Sequence, residues 1–325
     1  MRALSHSTFG DPAEVLDVVD RDLPEPGARQ VRVRTLLSPI HNHDLWTIRG
    51  TYGYKPELPA AAGTEAVGIV DAVGEGVEGL EVGRRVATGG TFGVWGEYFV
   101  ADAKALIPVP DSLSDETAAQ LVSMPFSALS LLEFLEVHEG DWIVQNTANG
   151  AVGRLLAQFA AARGVRVLGL VRRDAGVAEL AEAGIDDVVS TEQPDWRERA
   201  AAVLDGAATR AAVDSVGGSA AGDLLSLLGE GGTLVSFGAM ASPTLELGSG
   251  DLIFKQAVVK GFWGSKVSAS MDAAARAALF GELVQRIGSG QVQLPVEAVF
   301  PFDQVRAAVA VSDAPGRAGK VLLKF

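Results

Sequence analysis

Trp142-Ile143-Val144-Gln145-Asn146-Thr147-Ala148-Asn149-Gly150-Ala151-Val152-Gly153 is the stretch on which the fold turns. A short apolar run ends at polar and small residues, then restarts with helical spacing at Leu155, Leu156, Phe159 and Ala160. That pattern is a strand, a tight turn and a helix start. Ala148-x-Gly150-x-x-Gly153 is the dinucleotide-binding spacing with alanine in the first glycine place. Small residues are needed there because the turn is tight, the backbone must approach a pyrophosphate, and the helix must pack closely on its sheet. The helix N-terminus adds unpaired N–H groups and a positive dipole end. The same spacing suits any strand-to-helix turn, and the rest of the chain decides between the two readings.

Apolar runs alternate with helical segments from Asp141 onward. Strands are expected at 142–146, 165–171, 187–190, 210–214 and 232–237, with a sixth at 258–263. Helices are expected near 150–163, 175–183, 195–204 and 219–228. Such alternation builds a parallel sheet covered on both faces. An acidic residue at the end of the second strand would bind the ribose 2′-hydroxyl of NAD. Here that strand ends in Arg172-Arg173. Two guanidiniums suit a 2′-phosphate, which favours NADPH over NADH; the alternative is two solvated arginines on a loop.

Residues 1 to about 110 are strand-rich, with half-buried alternation in Val15-Leu16-Asp17-Val18-Val19 and in Gln30-Val31-Arg32-Val33-Arg34-Thr35-Leu36. Prolines and glycines punctuate this region, as in a small, mainly β domain with irregular loops. Ser114, followed by Asp115 and Glu116, reads as a helix cap, and Pro125 interrupts the segment beyond it. After about residue 268 come an alanine-rich helix over 272–289, a strand over 294–300, a helix over 302–312 and a terminal strand. This piece is expected to return to the first domain. The expected division is therefore 1–115 with 268–325 against 116–267.

The 325-residue length suits two domains, and the net charge of -14 argues against nucleic acid or an anionic membrane surface as partner. The chain has no cysteine, which excludes disulfides, thiol catalysis and cysteine metal sites. No apolar run reaches the roughly 18 residues of a membrane span. Met1-Arg2-Ala3-Leu4-Ser5-His6 lacks the long apolar region of a secretory signal, so the expected setting is cytoplasmic.

With these parts in view, the chain resembles the medium-chain dehydrogenase/reductase superfamily over essentially its whole length. The shared marks are Gly63-Thr64-Glu65-Ala66-Val67-Gly68, Val73-Gly74, Val82-Gly83-Arg84-Arg85-Val86 and the closing Gly319-Lys320-Val321. Ser38-Pro39-Ile40, Asp44-Leu45, Ile48-Arg49-Gly50-Thr51-Tyr52, Gln145-Asn146, Asn149-Gly150, Leu252-Ile253-Phe254-Lys255 and Gly261-Phe262-Trp263 are narrower. They resemble the zinc-free branch, most closely the mitochondrial-type 2-enoyl thioester reductases, with NADPH:quinone reductases similar elsewhere. The resemblance implies an α/β fold: a Rossmann parallel-sheet domain plus a mainly β, partly opened barrel (GroES-like) catalytic domain. It also implies NADPH as cofactor and a homodimer formed through edge strands of the nucleotide domain.

His41-Asn42-His43-Asp44 invites a metal reading. In zinc members of the superfamily a cysteine ligand would stand at position 41 and a histidine at 64, where this chain has His41 and Thr64. Catalytic zinc needs three protein ligands and an open position, and His41 with His43 does not supply them. In an extended segment the two histidines would also point to opposite sides. The expectation is no metal, with histidine free to act as donor or proton carrier. The enoyl reductases do not usually carry His-x-His here, a departure that bears on the substrate.

The implied reaction is hydride transfer from NADPH to the β carbon of an α,β-unsaturated carbonyl, an enoyl thioester or an enone. Charge then builds on the carbonyl oxygen, and a proton goes to the α carbon. Tyr52 matches the family's Gly-x-Tyr motif; a phenol keeps its proton at neutral pH and can donate to an enolate. Asn42 and His43 are further catalytic candidates, and Trp263 would border the substrate pocket. Asn149, Gly150, Ala151 and Val152 would hold the pyrophosphate, and Arg172 and Arg173 the 2′-phosphate. Gly238, Ala239 and Met240 would meet the carboxamide, with Ser127, Phe262, Trp263 and Lys320 also near the cofactor. Three other readings stand beside this one: a quinone reductase, a zinc-type alcohol dehydrogenase, and a non-catalytic NADPH-binding protein.

Overall fold

The computed structural model describes residues 1–314 and 316–325. The chain divides into two compact units, Met1–Ser123 with Leu294–Phe325, and Met124–Gln293.

The first unit is built on two sheets. Strands Asp17–Asp20, Arg2–His6 and Ala60–Ala61 form the smaller one. In the larger, the path runs Val296–Pro301, Lys320–Lys324, Gln30–Pro39, Glu65–Val73, Arg85–Gly89, Ile107–Pro108, and Tyr98–Asp102 also pairs with Gln30–Pro39. Its pairings are antiparallel except that between Val296–Pro301 and Lys320–Lys324. Gln30–Pro39 shows why: Val31, Val33, Thr35 and Leu37 turn inward at every second position, the pleat period of a strand with one buried face. Val31, Val33, Leu45, Ile48, Val70, Trp95 and Val321 share the core beneath.

Trp95 fixes the start of the Glu65–Val73 strand. Gly63 has φ +87°, and a Cβ there would lie 2.1 Å from the Trp95 ring, so only glycine fits. Thr64 and Glu65 follow directly and are thereby set against the residues after Pro39.

In the second unit six strands form one sheet, all neighbours parallel. The spatial order is Val188–Ser190, Arg166–Val171, Trp142–Gln145, Thr209–Asp214, Leu228–Ser236, Val258–Gly261. The chain thus builds outward on one side of Trp142–Gln145, then crosses to build on the other. That reversal opens a crevice at the carboxyl ends of Trp142–Gln145 and Thr209–Asp214, the place where open α/β sheets bind ligands.

Two boundaries differ from the expected ones. Helix Ala273–Gly288 belongs to the second unit, because Phe280 stacks on Phe126 at 4.5 Å and Glu282 binds Arg163 at 2.7 Å. The segment after Ser114 is interrupted, between helices Asp115–Ala119 and Ser123–Phe134, but the break precedes Pro125, which lies in the first turn of the second helix, where its missing N–H would have had no intrahelical partner. No helix among the described residues is long and apolar enough to cross a membrane.

Candidate active site

A buried polar cluster lies in the first unit where strand Gln30–Pro39 ends. The next residues are not extended, as the sequence suggests, but form helix Asn42–Arg49 with His41 as N-cap. Asp44 causes this: its Oδ2 accepts the His41 backbone N–H at 3.0 Å, while Leu45 and Ile48 bury one face. Gly50, at φ +74°, ends the helix in the left-handed conformation. The expected divergence of the two histidines is therefore corrected. Their rings stack, 4.9 Å apart at 19°.

His41 Nε2 meets Glu65 Oε2 at 2.6 Å, with both side chains fully enclosed. Glu65 Oε1 accepts the backbone N–H groups of Val122 and Ser123, each at 2.7 Å. Burial raises the Glu65 carboxyl to about 7, against the opposing pull of those N–H groups and of Lys320. Burial, with help from Arg317, lowers Lys320 to about 8, and its Nζ reaches the Ile40 carbonyl at 3.4 Å. Burial foremost, then the charge of Lys320, holds His41 well below the usual imidazole range, so at neutral pH this ring is uncharged.

His43 belongs to a second chain of contacts. Its Nε2 lies 2.7 Å from Thr64 Oγ1, and Thr64 Oγ1 donates to Asp44 Oδ1 at 2.7 Å. Tyr52 follows the helix, its backbone N–H held by the Trp46 carbonyl, and its half-buried ring lies 6.0 Å from that of His43. Asn42 is half-buried in the first helical turn. A cavity of about 240 Å³ adjoins the cluster, lined by Asp44, Thr64, Ile48, Tyr54, Glu57 and Phe92 among others.

The second unit carries the glycine turn. A Cβ on Gly153 would lie 2.5 Å from the Thr147 carbonyl oxygen, so helix Ala151–Ala162 packs on its turn only with glycine there. Ala148, in the first glycine place, presses on the neighbouring strand: a Cβ on Gly169 would lie 2.7 Å from its Cβ. Gln145 Nε2 donates to the Gly153 carbonyl at 2.9 Å and Arg154 Nε to the Asn149 carbonyl at 3.1 Å, which brace the turn from beneath. Asn146 ties it to the crossing strand, donating to Asp214 at 2.6 Å and accepting from the Ser215 N–H at 2.8 Å. Gly150 caps the helix without a side chain, which leaves the first-turn N–H groups of Ala151 and Val152 for a ligand.

Arg172 and Arg173 follow strand Arg166–Val171 directly, are exposed, and make no ion pair among the described residues. Gly238, Ala239 and Met240 follow strand Leu228–Ser236, with the Gly238 N–H on the Asp214 carbonyl. Phe262 is buried between Phe134 and Phe237, so packing alone accounts for it. Trp263 is 50% exposed, and Ser127 lies beside the adjoining Gly264.

Residues 27–111 match the alcohol dehydrogenase GroES-like domain family, and residues 151–279 match the zinc-binding dehydrogenase family. The human mitochondrial enoyl-[acyl-carrier-protein] reductase is 33% identical over 99% of this chain and 88% of its own. The chain belongs to the medium-chain dehydrogenase/reductase superfamily. It is an oxidoreductase of that superfamily. Among solved structures, an NADPH:quinone reductase from Bacillus thuringiensis matches with TM-score 0.91 at 27% identity, over 100% of this chain and 98% of the other. Escherichia coli quinone oxidoreductase complexed with NADPH matches with TM-score 0.90 at 25% identity, over the full length of both.

Superfamily membership raises two groups to test against the residues. A nicotinamide cofactor fits the second unit, where the cradle that a Gly153 Cβ would fill and the free first-turn N–H groups meet at the switch point of the sheet. Zinc does not fit. No group of three or more histidine or acidic side chains among the described residues is placed to hold a metal ion. His41 and Glu65 bind one another, and Thr64 stands as a bridge between His43 and Asp44.

The sequence reading named Asn42, His43, Tyr52 and Lys320, and these lie in one region of the first unit. It did not name Thr64, Asp44 or Glu65 as working residues. The available signal was an acid and a hydroxyl directly after Gly63, a glycine forced by Trp95.

Proposed function

We propose that the protein reduces the activated carbon–carbon double bond of a small α,β-unsaturated carbonyl compound, with NADPH as reductant. The observation that carries this reading is the half-buried Tyr52 ring beside His43, in a polar cluster whose donor set does not suit zinc. The likeness to enoyl-acyl-carrier-protein reductases supports it. Bound NADPH supplies the hydride. Tyr52 donates to the carbonyl oxygen as negative charge gathers there, and its proton serves the α carbon. Asn42 and His43 line this group, and Lys320 holds the Ile40 carbonyl from behind.

The cavity beside Asp44 and Thr64 supports a small, uncharged substrate. At about 240 Å³ it has Glu57 and Asp44 in its wall and no lysine or arginine, so a phosphate-bearing acyl carrier finds no partner there. A quinone is the second reading, favoured by the likeness to the Bacillus thuringiensis and Escherichia coli quinone reductases. NADPH oxidation measured across small enones, 2-enoyl-CoA esters, quinones and aldehydes tests both. Fastest turnover of small enones is expected. Turnover confined to aldehydes, or tight NADPH binding with no turnover at all, would sink the proposal.

In this reading the second unit is the nucleotide-binding domain. Asn149, Gly150, Ala151 and Val152 take the pyrophosphate, Gly238, Ala239 and Met240 the carboxamide end, and Ser127 and Phe262 flank the cofactor. Arg172 and Arg173 take the 2′-phosphate. Replacing both arginines with alanine is expected to weaken NADPH binding about 10- to 100-fold, the loss of one or two charge-assisted contacts. NADH binding should change less than about 3-fold. Fluorescence titration with both cofactors checks this, and equal weakening of the two would remove the arginines from phosphate recognition.

The edge strand Val258–Gly261 supports a homodimer. Val258 is 50% exposed, and nearby Ile253 and Phe254 are 59% and 83% exposed, an apolar patch along an unpaired sheet edge. Light scattering on the purified protein is expected to give twice the chain mass, and Val259→Lys to give a monomer. A monomeric wild type would end this proposal.

A further inference from the structure

We infer that Asp44, Thr64 and His43 form a directional relay that fixes the tautomer of His43 and makes its Nδ1 the proton-supplying atom for Tyr52. The direction follows from counting hydrogens. Thr64 Oγ1 gives its one hydrogen to Asp44 Oδ1 at 2.7 Å. It has none left for His43, whose Nε2 lies 2.7 Å away. His43 Nε2 must therefore be the donor, and in the neutral ring Nδ1 carries the lone pair.

Each member is held. Asp44 is fully enclosed, and its other oxygen is fixed by the His41 N–H at 3.0 Å. Thr64 is set by Gly63 against Trp95. The His43 ring is stacked on His41, which is anchored by Glu65. The His43 side chain is 24% exposed, so the end away from Thr64 exchanges protons with solvent. The titratable groups facing His43 are Asp44, whose Oδ1 lies 3.6 Å from Nε2, the stacked His41, and Tyr52; Glu65 and Lys320 stand behind His41.

The catalytic half of this inference rests on the function proposed above. Hydride addition at the β carbon leaves an enolate. The Tyr52 hydroxyl gives its proton to the α carbon, solvent gives a proton to the His43 Nδ1 lone pair, and that proton passes on to the Tyr52 oxygen. His43 ends as it began, neutral with Nε2–H retained and the lone pair on Nδ1. Thr64 and Asp44 line the cavity but exchange no proton with the substrate in this scheme; they act through His43 and are positioning residues.

Asp44→Asn gives an unusually specific test. The His41 N–H requires an acceptor, so the asparagine oxygen keeps the Oδ2 place and its NH₂ takes the Oδ1 place. That NH₂ donates to Thr64, Thr64 turns its hydrogen to His43 Nε2, and the relay reverses. The four histidines of the chain make imidazole ¹⁵N–¹H spectra of the substrate-free protein tractable. Wild type is expected to show His43 protonated at Nε2, Asp44→Asn at Nδ1, and Thr64→Val a mixture. With a small enone, Thr64→Val should lower kcat about 10-fold or more, with KM and NADPH affinity changed less than about 2-fold, and Thr64→Ser should restore it. A wild-type His43 protonated at Nδ1 in the neutral ring, or an unchanged tautomer in both Asp44→Asn and Thr64→Val, would overturn the relay. If the tautomers shift as stated but no enone is reduced, the relay stands and the proposed reaction fails. If enones are reduced and Thr64→Val turns over at the wild-type rate, the proton-supply role fails.

Discussion

Tyr52→Phe is expected to lower kcat for a small enone by about 10²- to 10³-fold while leaving NADPH affinity within about 2-fold. The ring is kept, so the half-buried packing beside His43 at 6.0 Å is retained and only the hydroxyl is lost. In the proposed reaction that hydroxyl meets a neutral carbonyl in the ground state and an oxygen gaining full negative charge in the transition state. The interaction is thus much stronger at the transition state, and its loss falls on kcat more than on KM. A quinone reduced by hydride needs no proton on carbon, so Tyr52→Phe should cost less than about 10-fold there. Steady-state kinetics on both acceptors separates the cases. Wild-type enone turnover in the phenylalanine variant would remove Tyr52 from the chemistry.

Glu65→Ala is expected to be the most destabilising single change in the first unit, by about 3–5 kcal/mol. Its carboxylate is the acceptor for the N–H groups of Val122 and Ser123 and the partner of His41 Nε2. Alanine would leave the two N–H groups without their acceptor and His41 Nε2 without its partner, all in a buried place. Glu65→Gln should cost less, since it keeps an acceptor for the two N–H groups, and it isolates the ionisation. Burial raises the Glu65 carboxyl from 4.5 to about 7, so the folded protein holds this proton more tightly than the unfolded chain. The resulting stabilisation is complete below pH 4.5 and is lost as pH rises through about 7. The advantage of wild type over Glu65→Gln should therefore shrink by up to about 3 kcal/mol across that window. Lys320, lowered to about 8, changes its contribution only above that pH, so it does not mask the trend. Urea unfolding of both proteins at pH 5 and pH 7.5 measures the difference. A growing advantage with pH would contradict the buried, proton-retaining carboxyl.

Much of this architecture is legible in the residues themselves. The parallel sheet is written in the spacing of apolar runs after Asp141, and the glycine turn in the need for no Cβ at Gly153, which would strike the Thr147 carbonyl at 2.5 Å. Both signals are local. The helix Asn42–Arg49 is also local, and its marks were present: Leu45 and Ile48 one turn apart, Asp44 in the first turn and Gly50 past the end. Eight residues are too few for periodicity to speak loudly, and a histidine is an unusual cap. The association of Ala273–Gly288 with the second unit depends on Phe280 meeting Phe126 and Glu282 meeting Arg163, pairings more than a hundred residues apart that no spacing rule reveals. The same holds for the site. Glu65 can be buried because one oxygen accepts the N–H groups of Val122 and Ser123 and the other meets His41, and Thr64 becomes a bridge only when helix Asn42–Arg49 brings Asp44 and His43 to it. Residue types in the sequence identify the chemistry available; which oxygen receives which hydrogen is a property of the folded cluster.

The central claim is that hydride reaches the β carbon of an enone. Reduction of a small enone with NADPH deuterated at C4, in each of its two configurations, followed by NMR of the product, addresses that claim atom by atom. One configuration is expected to place a single deuterium on the β carbon of a saturated ketone, and the same reaction in deuterated water with ordinary NADPH to place deuterium on the α carbon. Deuterium on the carbonyl carbon of an allylic alcohol would contradict the account and make the protein a carbonyl reductase instead.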